Sequence, residues 1–462
     1  MTTPVHEPVE GTATPPRSRR ALVAGSVGNF IEWYEFGVYG YFATIIAANF
    51  FTPDGGSDVE ALVKTYASFA LAFFFRPVGA AVFGRLGDRM GRRPTLILVI
   101  LLMTGATTLI GLLPTYATLG AAAPWLLTLL RIVQGLSAGG EFGGAVSIMT
   151  EFAPPGRRGL YGAWQSFTVA LGLLAGAGMA ALLATVLTEP ELNEWGWRLP
   201  FLLTLPLGLA ALWLRLKLEE TPSFQRTRTQ TPIQPQAQPQ AQPQAQSPDT
   251  EGRPQVVTPT PAPAREVAKA IALGAGRLMG WSAAGYTFLV VMPSYLQSTL
   301  NASFQQALVA TVLANLGFAA SIIPAGALSD RIGRRAVMVT GAVLVAVLAF
   351  PLMHLLQDSG TSTAVKSLAV FVAGAAVGLM AGPGPAMLSE MFPTSVRYTG
   401  LGLAYSLSNA VFSGCAGLII TEAIKRTGNI DIPAHYVVVT CAVSTLALLT
   451  LRGDDHRRAL RD

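Results

Sequence analysis

Six ionisable side chains sit inside long apolar runs of this chain: Glu32 and Glu35 in the first run, Arg76 in the second, Arg131 and Glu141 in the fourth, and Arg277 in the seventh. A charge at the centre of a membrane-spanning helix costs about 2.5 to 3.5 kcal/mol even on insertion scales, so each needs a partner or a water-filled cavity. On the first run Gly28, Glu32, Glu35 and Tyr39 recur at helical spacing and share one stripe, and Arg131, Gln134, Ala138 and Glu141 do the same on the fourth. Counted from one membrane face, Glu32, Arg76 and Glu141 lie at a common depth of about 15 Å, at roughly 1.5 Å per residue. Glu35 lies a turn further out, toward the level of Arg131.

Carboxylates and guanidinia at one depth suit two tasks. A carboxylate kept from water favours its protonated form, the property a proton carrier needs near neutral pH. An arginine holds an anionic substrate group through a bidentate contact. Glu32, Glu35 and Glu141 are therefore the candidates for proton coupling, and Arg76 and Arg131 for substrate binding, with Tyr39 beside them. The bland alternative is a set of ion pairs that merely holds the helices together. Arg277 lies near one end of its run and can snorkel to the surface.

The elements that must position these groups follow from composition. Of 462 residues 51% are hydrophobic and only 13% charged, about half the charged fraction of an ordinary soluble domain. Twelve apolar runs, each long enough to span a bilayer as a helix, are expected near 21–47, 61–84, 94–113, 124–150, 159–187, 197–216, 268–297, 304–328, 336–356, 366–389, 398–424 and 433–451. Arginines crowd the short connections on one side: Arg85, Arg89, Arg92 and Arg93; Arg157 and Arg158; Arg331, Arg334 and Arg335. The other side holds only Lys64, Arg198, Lys366, Lys425 and Arg426. The positive-inside rule then puts both termini in the cytoplasm, and it accounts for the net charge of +6 without nucleic acid. The segments expected are a disordered cytoplasmic N-terminus at 1–20, a six-helix half at 21–216, a Gln- and Pro-rich disordered linker at 217–265, a second half at 266–452, and a tail at 453–462.

The chain repeats itself. Gly84-Arg85-Leu86-Gly87-Asp88-Arg89-Met90-Gly91-Arg92-Arg93 returns as Gly326-Ala327-Leu328-Ser329-Asp330-Arg331-Ile332-Gly333-Arg334-Arg335. Gly135, Gly139, Gly143, Glu151, Pro154 and Arg158 likewise map onto Gly374, Gly378, Gly382, Glu390, Pro393 and Arg397. Two parallel six-helix repeats mark a transporter architecture whose substrate site lies between the halves near the midplane. The glycine ladders let helix backbones approach closely. The charges are not duplicated, since Arg131 maps to Val370 and Glu141 to Met380. Chemistry is therefore expected in the first half, with Tyr286, Asn315 and Asn409 as neutral lining from the second, unless they only bond helix to helix.

The twice-seen Gly-x-Leu-[Gly/Ser]-Asp-Arg-x-Gly-Arg-Arg loop resembles the signature of the major facilitator superfamily. Asn29 to Gly40, Phe75-Arg76-Pro77-Val78-Gly79, Trp195 to Phe201 and Glu219-Glu220-Thr221-Pro222 are similar to the metabolite:proton symporter family, with its proline/betaine, 2-oxoglutarate, citrate and shikimate permeases. Met292 to Leu296 and Phe392 to Tyr398 lean toward the proline/betaine branch. The resemblance implies an all-α membrane protein with twelve transmembrane helices in two six-helix pseudo-repeats, the major facilitator fold, in the bacterial cytoplasmic membrane. It implies symport of protons with a small carboxylate or zwitterion, driven by the proton gradient with no cofactor or metal. It also implies a cytoplasmic gate of Gly84, Asp88, Arg89, Gly91 and Arg92 with Asp330, Arg331, Gly333 and Arg334, in which the aspartates latch onto helix N-termini of the opposite half.

Competing classes find little support. Gly135-Leu136-Ser137-Ala138-Gly139 mimics a hydrolase elbow, but it lies within a helical run and no histidine is expected deep in the bundle. Ser18-Arg19-Arg20 mimics a twin-arginine export signal, yet the following run is too long and eleven more come after it. A non-transporting sensor on a transporter scaffold is the alternative that remains.

Overall fold

The computed structural model describes residues 16–52, 57–90, 92–151, 153–216 and 264–453. The expected linker, apart from its last two residues, and the last nine residues of the tail lie outside them. The described chain is helical and follows the twelve expected spans. Spans one to six run Pro16–Tyr41 with its continuation to Phe51, Asp58–Met90, Arg92–Leu112, Ala122–Ala138 resuming as Phe142–Glu151, Arg158–Val186 and Arg198–Leu216. Spans seven to twelve run Ala264–Tyr286 continuing to Ser298, Phe304–Ile332, Arg334–Gln357, Thr363–Ala381 resuming as Gly384–Met391, Thr394–Ser408 continuing to Thr427, and Ile432–Leu449.

Among the described helices nine are long and apolar enough to cross a membrane by length and composition alone. Spans one, four and seven fall short by that measure. Large apolar side chains face outward along the bundle, such as Trp125, Leu182, Val347 and Leu446, as expected where the surrounding solvent is lipid.

Boundaries differ from expectation where charge continues a helix. Span one starts at Pro16 instead of 21, since a proline in the first turn gives up an N–H that has no helical partner. Span two continues through the arginine-rich motif to Met90, so the expected loop is mostly helix. Its counterpart, span eight, opens on a Ser303–Gln306 capping box and ends at Ile332, because Gly333 takes φ 95° and turns the chain into span nine. Only glycine adopts that angle without strain.

The glycine ladders pack as expected. A Cβ at Gly135 would strike the carbonyl of Ala72, and one at Gly139 the backbone of Arg76 and Ala80. In the second half Gly374 abuts the carbonyl of Ala314, and Gly382 that of Ile322. Span four thus lies directly on span two, and span ten on span eight. The halves meet where span five packs along span eight and span two against the middle of span eleven.

Candidate functional site

Five of the six intramembrane charges converge in the first half, and a sixth partner joins them. The Glu32 carboxylate lies 3.2 Å from Arg76 Nη2, both side chains almost wholly buried. Arg76 is held flat among aromatic faces, its guanidinium carbon 4.2 Å from the ring centres of both Phe36 and Phe73 and 5.4 Å from that of Trp33. Such stacking suits a weakly hydrated planar cation.

One turn away, Arg131 stacks 4.0 Å from the Tyr39 ring centre and 4.9 Å from those of Phe36 and Phe69. It does not bond Glu35 directly. Arg131 Nη1 donates to Gln134 Oε1 at 2.6 Å, Gln134 Nε2 donates to Thr107 Oγ1 at 2.5 Å, and Thr107 Oγ1 donates to Glu35 Oε2 at 2.7 Å. Tyr39 spends its hydroxyl on Ser68 at 2.6 Å.

Glu141 departs from expectation. It lies near enough to Glu32 and Glu35 to act on both electrostatically, but its ion pair is with Arg215 of span six. Arg215 escaped the sequence reading because it closes its span, where a basic residue ordinarily marks the membrane surface. In the fold it is 3% exposed. With it, three buried carboxyl groups face three buried guanidinia, so the cluster is neutral when all three acids are ionised. Gly28 makes the pairing possible, since a Cβ there would collide with both Glu141 and Arg215.

A cavity lies between the halves beside this cluster. Its walls are aromatic, with Trp33 from span one, Trp281 and Tyr286 from span seven, Phe318 from span eight and Tyr405 from span eleven. Ser282, Asn409 and Ser413 supply polar edges. Its free volume is about 30 Å³, room for only a few water molecules. Phe142 stacked on Tyr405 at 3.4 Å between ring centres joins the two halves at the same place. The two wide-turn segments Thr287–Val291 and Asn409–Gly414 interrupt spans seven and eleven there; such irregularities gather at functional sites, and no composition signal announced them.

Tyr286 and Asn409 line this cavity, whereas Asn315, Arg76, Arg131 and Tyr39 are absent from its wall. Asn315 instead donates to the carbonyls of Thr311 and Leu289, the helix-to-helix alternative. Arg76 touches the cavity through Trp33. Arg277, expected to snorkel to the surface, is buried instead and donates to Ala447 O and Thr450 Oγ1 at the end of span twelve. Among the described residues, Glu35 Oε1, Arg76 Nε, Arg131 Nε and Nη2, and the Tyr286 hydroxyl are buried without a hydrogen bond. Native interiors rarely tolerate such atoms unless they are used.

At the arginine-rich end, Asp330 accepts from the backbone N–H groups of Gly159 at 2.7 Å and Leu160 at 2.9 Å. These open span five in the opposite half, where the helix dipole attracts a carboxylate. Arg334 donates to Asp330 at 2.7 Å and to Glu390 at 3.1 Å, and Arg158 reaches Glu390 from across the interface at 3.4 Å. The side chains of Asp88, Arg89 and Arg92, the surroundings of Gly84, and residue Gly91 fall outside what can be described for the first-half copy.

Comparison with known proteins agrees with this geometry. The family model "Sugar (and other) transporter" matches residues 21–451. The ectoine/proline transporter ProP of Corynebacterium glutamicum is 34% identical over 96% of this chain and 86% of its own length. The proline/betaine transporter of Escherichia coli K12 is 33% identical over 95% and 84%. Among solved structures, a D-xylose-proton symporter superposes with a TM-score of 0.70 at 19% identity, covering 94% of this chain and 97% of its own. The chain belongs to the sugar (and other) transporter family, within the major facilitator fold, and is a multi-pass membrane transporter related to the proline/betaine carriers.

Proposed function

We propose that this protein is a proton-coupled symporter that imports a small zwitterion, one carboxylate joined to an alkylated ammonium, as in proline or betaine, by alternating access. The observation that carries this reading is the aromatic cage of Trp33, Trp281, Tyr286, Tyr405 and Phe318 set against the Glu32–Arg76 pair. An alkylated ammonium is held by aromatic faces through cation–π attraction, while the carboxylate needs a guanidinium. The relatives named for proline, betaine and ectoine favour the same class over a 2-oxoacid or tricarboxylate, which would leave the cage without a cation.

Coupling follows from the neutrality of the cluster. When Glu32 takes a proton, one carboxylate charge is lost and Arg76 is released from its partner; a proton on Glu35 removes the counter-charge near Arg131, which stays bonded to Gln134. The free guanidinium then receives the substrate carboxylate, so proton and substrate bind together. Both termini lie in the cytoplasm in this reading, Asp330 latches the cytoplasmic side closed, and protons with the solute are the ligands. A competition assay tests the substrate: unlabelled betaine and proline displace labelled betaine, while 2-oxoglutarate, citrate and shikimate do not. Displacement by the dicarboxylate alone would move the assignment to the oxoacid class.

A further inference from the structure

Thr107 occupies a place that a mere helix-packing threonine does not need. Its hydroxyl has one proton and two lone pairs, and around it stand three groups: Glu35 Oε2 at 2.7 Å, the Met103 carbonyl of its own helix at 3.0 Å, and Gln134 Nε2 at 2.5 Å. Gln134 can only donate to it, because Gln134 Oε1 is taken by Arg131 Nη1 at 2.6 Å. The single hydroxyl proton therefore has two acceptors within reach and can satisfy one at a time. From the geometry of this four-membered chain we propose that Thr107 is the positioning residue that sets how readily Glu35 gives up its proton, its hydroxyl proton turning from Glu35 Oε2 to the Met103 carbonyl when the acid is protonated. The proposal rests on Glu35 as a proton-coupling group.

The bookkeeping of atoms is complete in both states. With Glu35 ionised, Thr107 donates to Oε2 and accepts from Gln134, so all donors from Arg131 onward point toward the carboxylate. A proton arriving on Oε2 becomes a donor to Thr107 Oγ1, the Thr107 proton rotates to Met103 O, and Gln134 continues to donate to the second lone pair. No heavy atom moves and no covalent bond other than the new O–H is made. Oε1 is a poorer landing place, since among the described residues it has no hydrogen-bond partner that could accept. The charged and titratable groups around Glu35 are Glu32 and Tyr34 on its own helix and Arg131 and Glu141 from span four, with Arg215 of span six paired to Glu141 and Arg76 of span two paired to Glu32. Span three contributes Thr107, a group with no charge of its own.

A hydrogen bond to an ionised carboxylate outweighs one to a neutral acid, so loss of the hydroxyl favours the protonated form. The test is an infrared pH titration of the purified full chain, following the carboxylic C=O band that disappears in Glu35→Gln. In Thr107→Val the midpoint of that band moves about one pH unit to the alkaline side, and Thr107→Ser returns it to the parent value. If Thr107→Val does not fold, Thr107→Ala against Thr107→Ser makes the same comparison, since the two differ by one oxygen atom. A midpoint in Thr107→Val or Thr107→Ala within about 0.2 units of the parent overturns the role of Thr107. A titrating band that survives intact in Glu35→Gln overturns the assignment of Glu35 itself, which separates failure of the underlying reading from failure of this one.

Discussion

Replacing Arg76 by lysine isolates the planar cation from its charge. The guanidinium carbon lies 4.2 Å from the ring centres of both Phe36 and Phe73, which meet edge to face, and the group is next to the Glu32 carboxylate. An ammonium keeps the ion pair but can sit over one ring only. A desolvated cation–π contact is worth up to about 2 kcal/mol, and the bidentate fork toward a substrate carboxylate is lost as well. We expect a loss of about 2 kcal/mol in substrate binding, roughly thirty-fold in affinity at 1.4 kcal/mol per decade. Alanine would be the wrong probe, because it leaves Glu32 buried and unpaired at about 3 to 5 kcal/mol, and failure to fold would mimic failure to bind. The assay is equilibrium exchange of labelled betaine in vesicles with matched amounts of inserted protein. A KM within twofold of the parent removes Arg76 from the substrate site.

Asp330→Asn removes the charge that closes the N-terminus of span five at Gly159 and Leu160; at a cost of about 1.5 kcal/mol, a thiol placed by Ser166→Cys, whose hydroxyl now bonds across the halves to Ala381 O, alkylates about tenfold faster. Gly135→Ala pushes a methyl into the Ala72 carbonyl and lowers stability by roughly 1 to 3 kcal/mol, seen as a lower thermal midpoint in detergent, whereas Gly105→Ala, with nothing within 4 Å of its Cβ, leaves the midpoint in place. Deletion of most of residues 228–262, with enough chain kept to join the halves, preserves uptake; loss of uptake with normal insertion identifies a docked or regulatory segment.

The parts of the fold legible in sequence were those that rest on many residues at once. Apolar runs set twelve spans, and the repeated glycines set which helices touch, because only a residue without a Cβ fits against a backbone carbonyl such as those of Ala72 and Ala314. That Glu32, Arg76 and Glu141 can meet followed from their common depth. What depth could not decide was direction around each helix: Glu141 faces Arg215 across the bundle, and the Glu35 to Arg131 connection runs through Thr107 and Gln134. Thr107 carries no signal in a spanning helix, where threonine commonly bonds its own backbone, as this one also can with Met103. The cage was hidden for a related reason, since Trp281 and Tyr405 read as ordinary apolar content until span seven and span eleven are placed beside Trp33.

The central claim is that a carboxylate of span one couples the proton to the solute. Glutamine at Glu32 or Glu35 imitates the permanently protonated acid, neutral and able to donate a hydrogen bond. In vesicles with an imposed pH gradient, Glu32→Gln or Glu35→Gln should still exchange labelled for unlabelled betaine, a process that needs no net proton movement, while failing to accumulate it against its gradient. Accumulation at the parent level by both variants would contradict the account and pass the coupling role to Glu141.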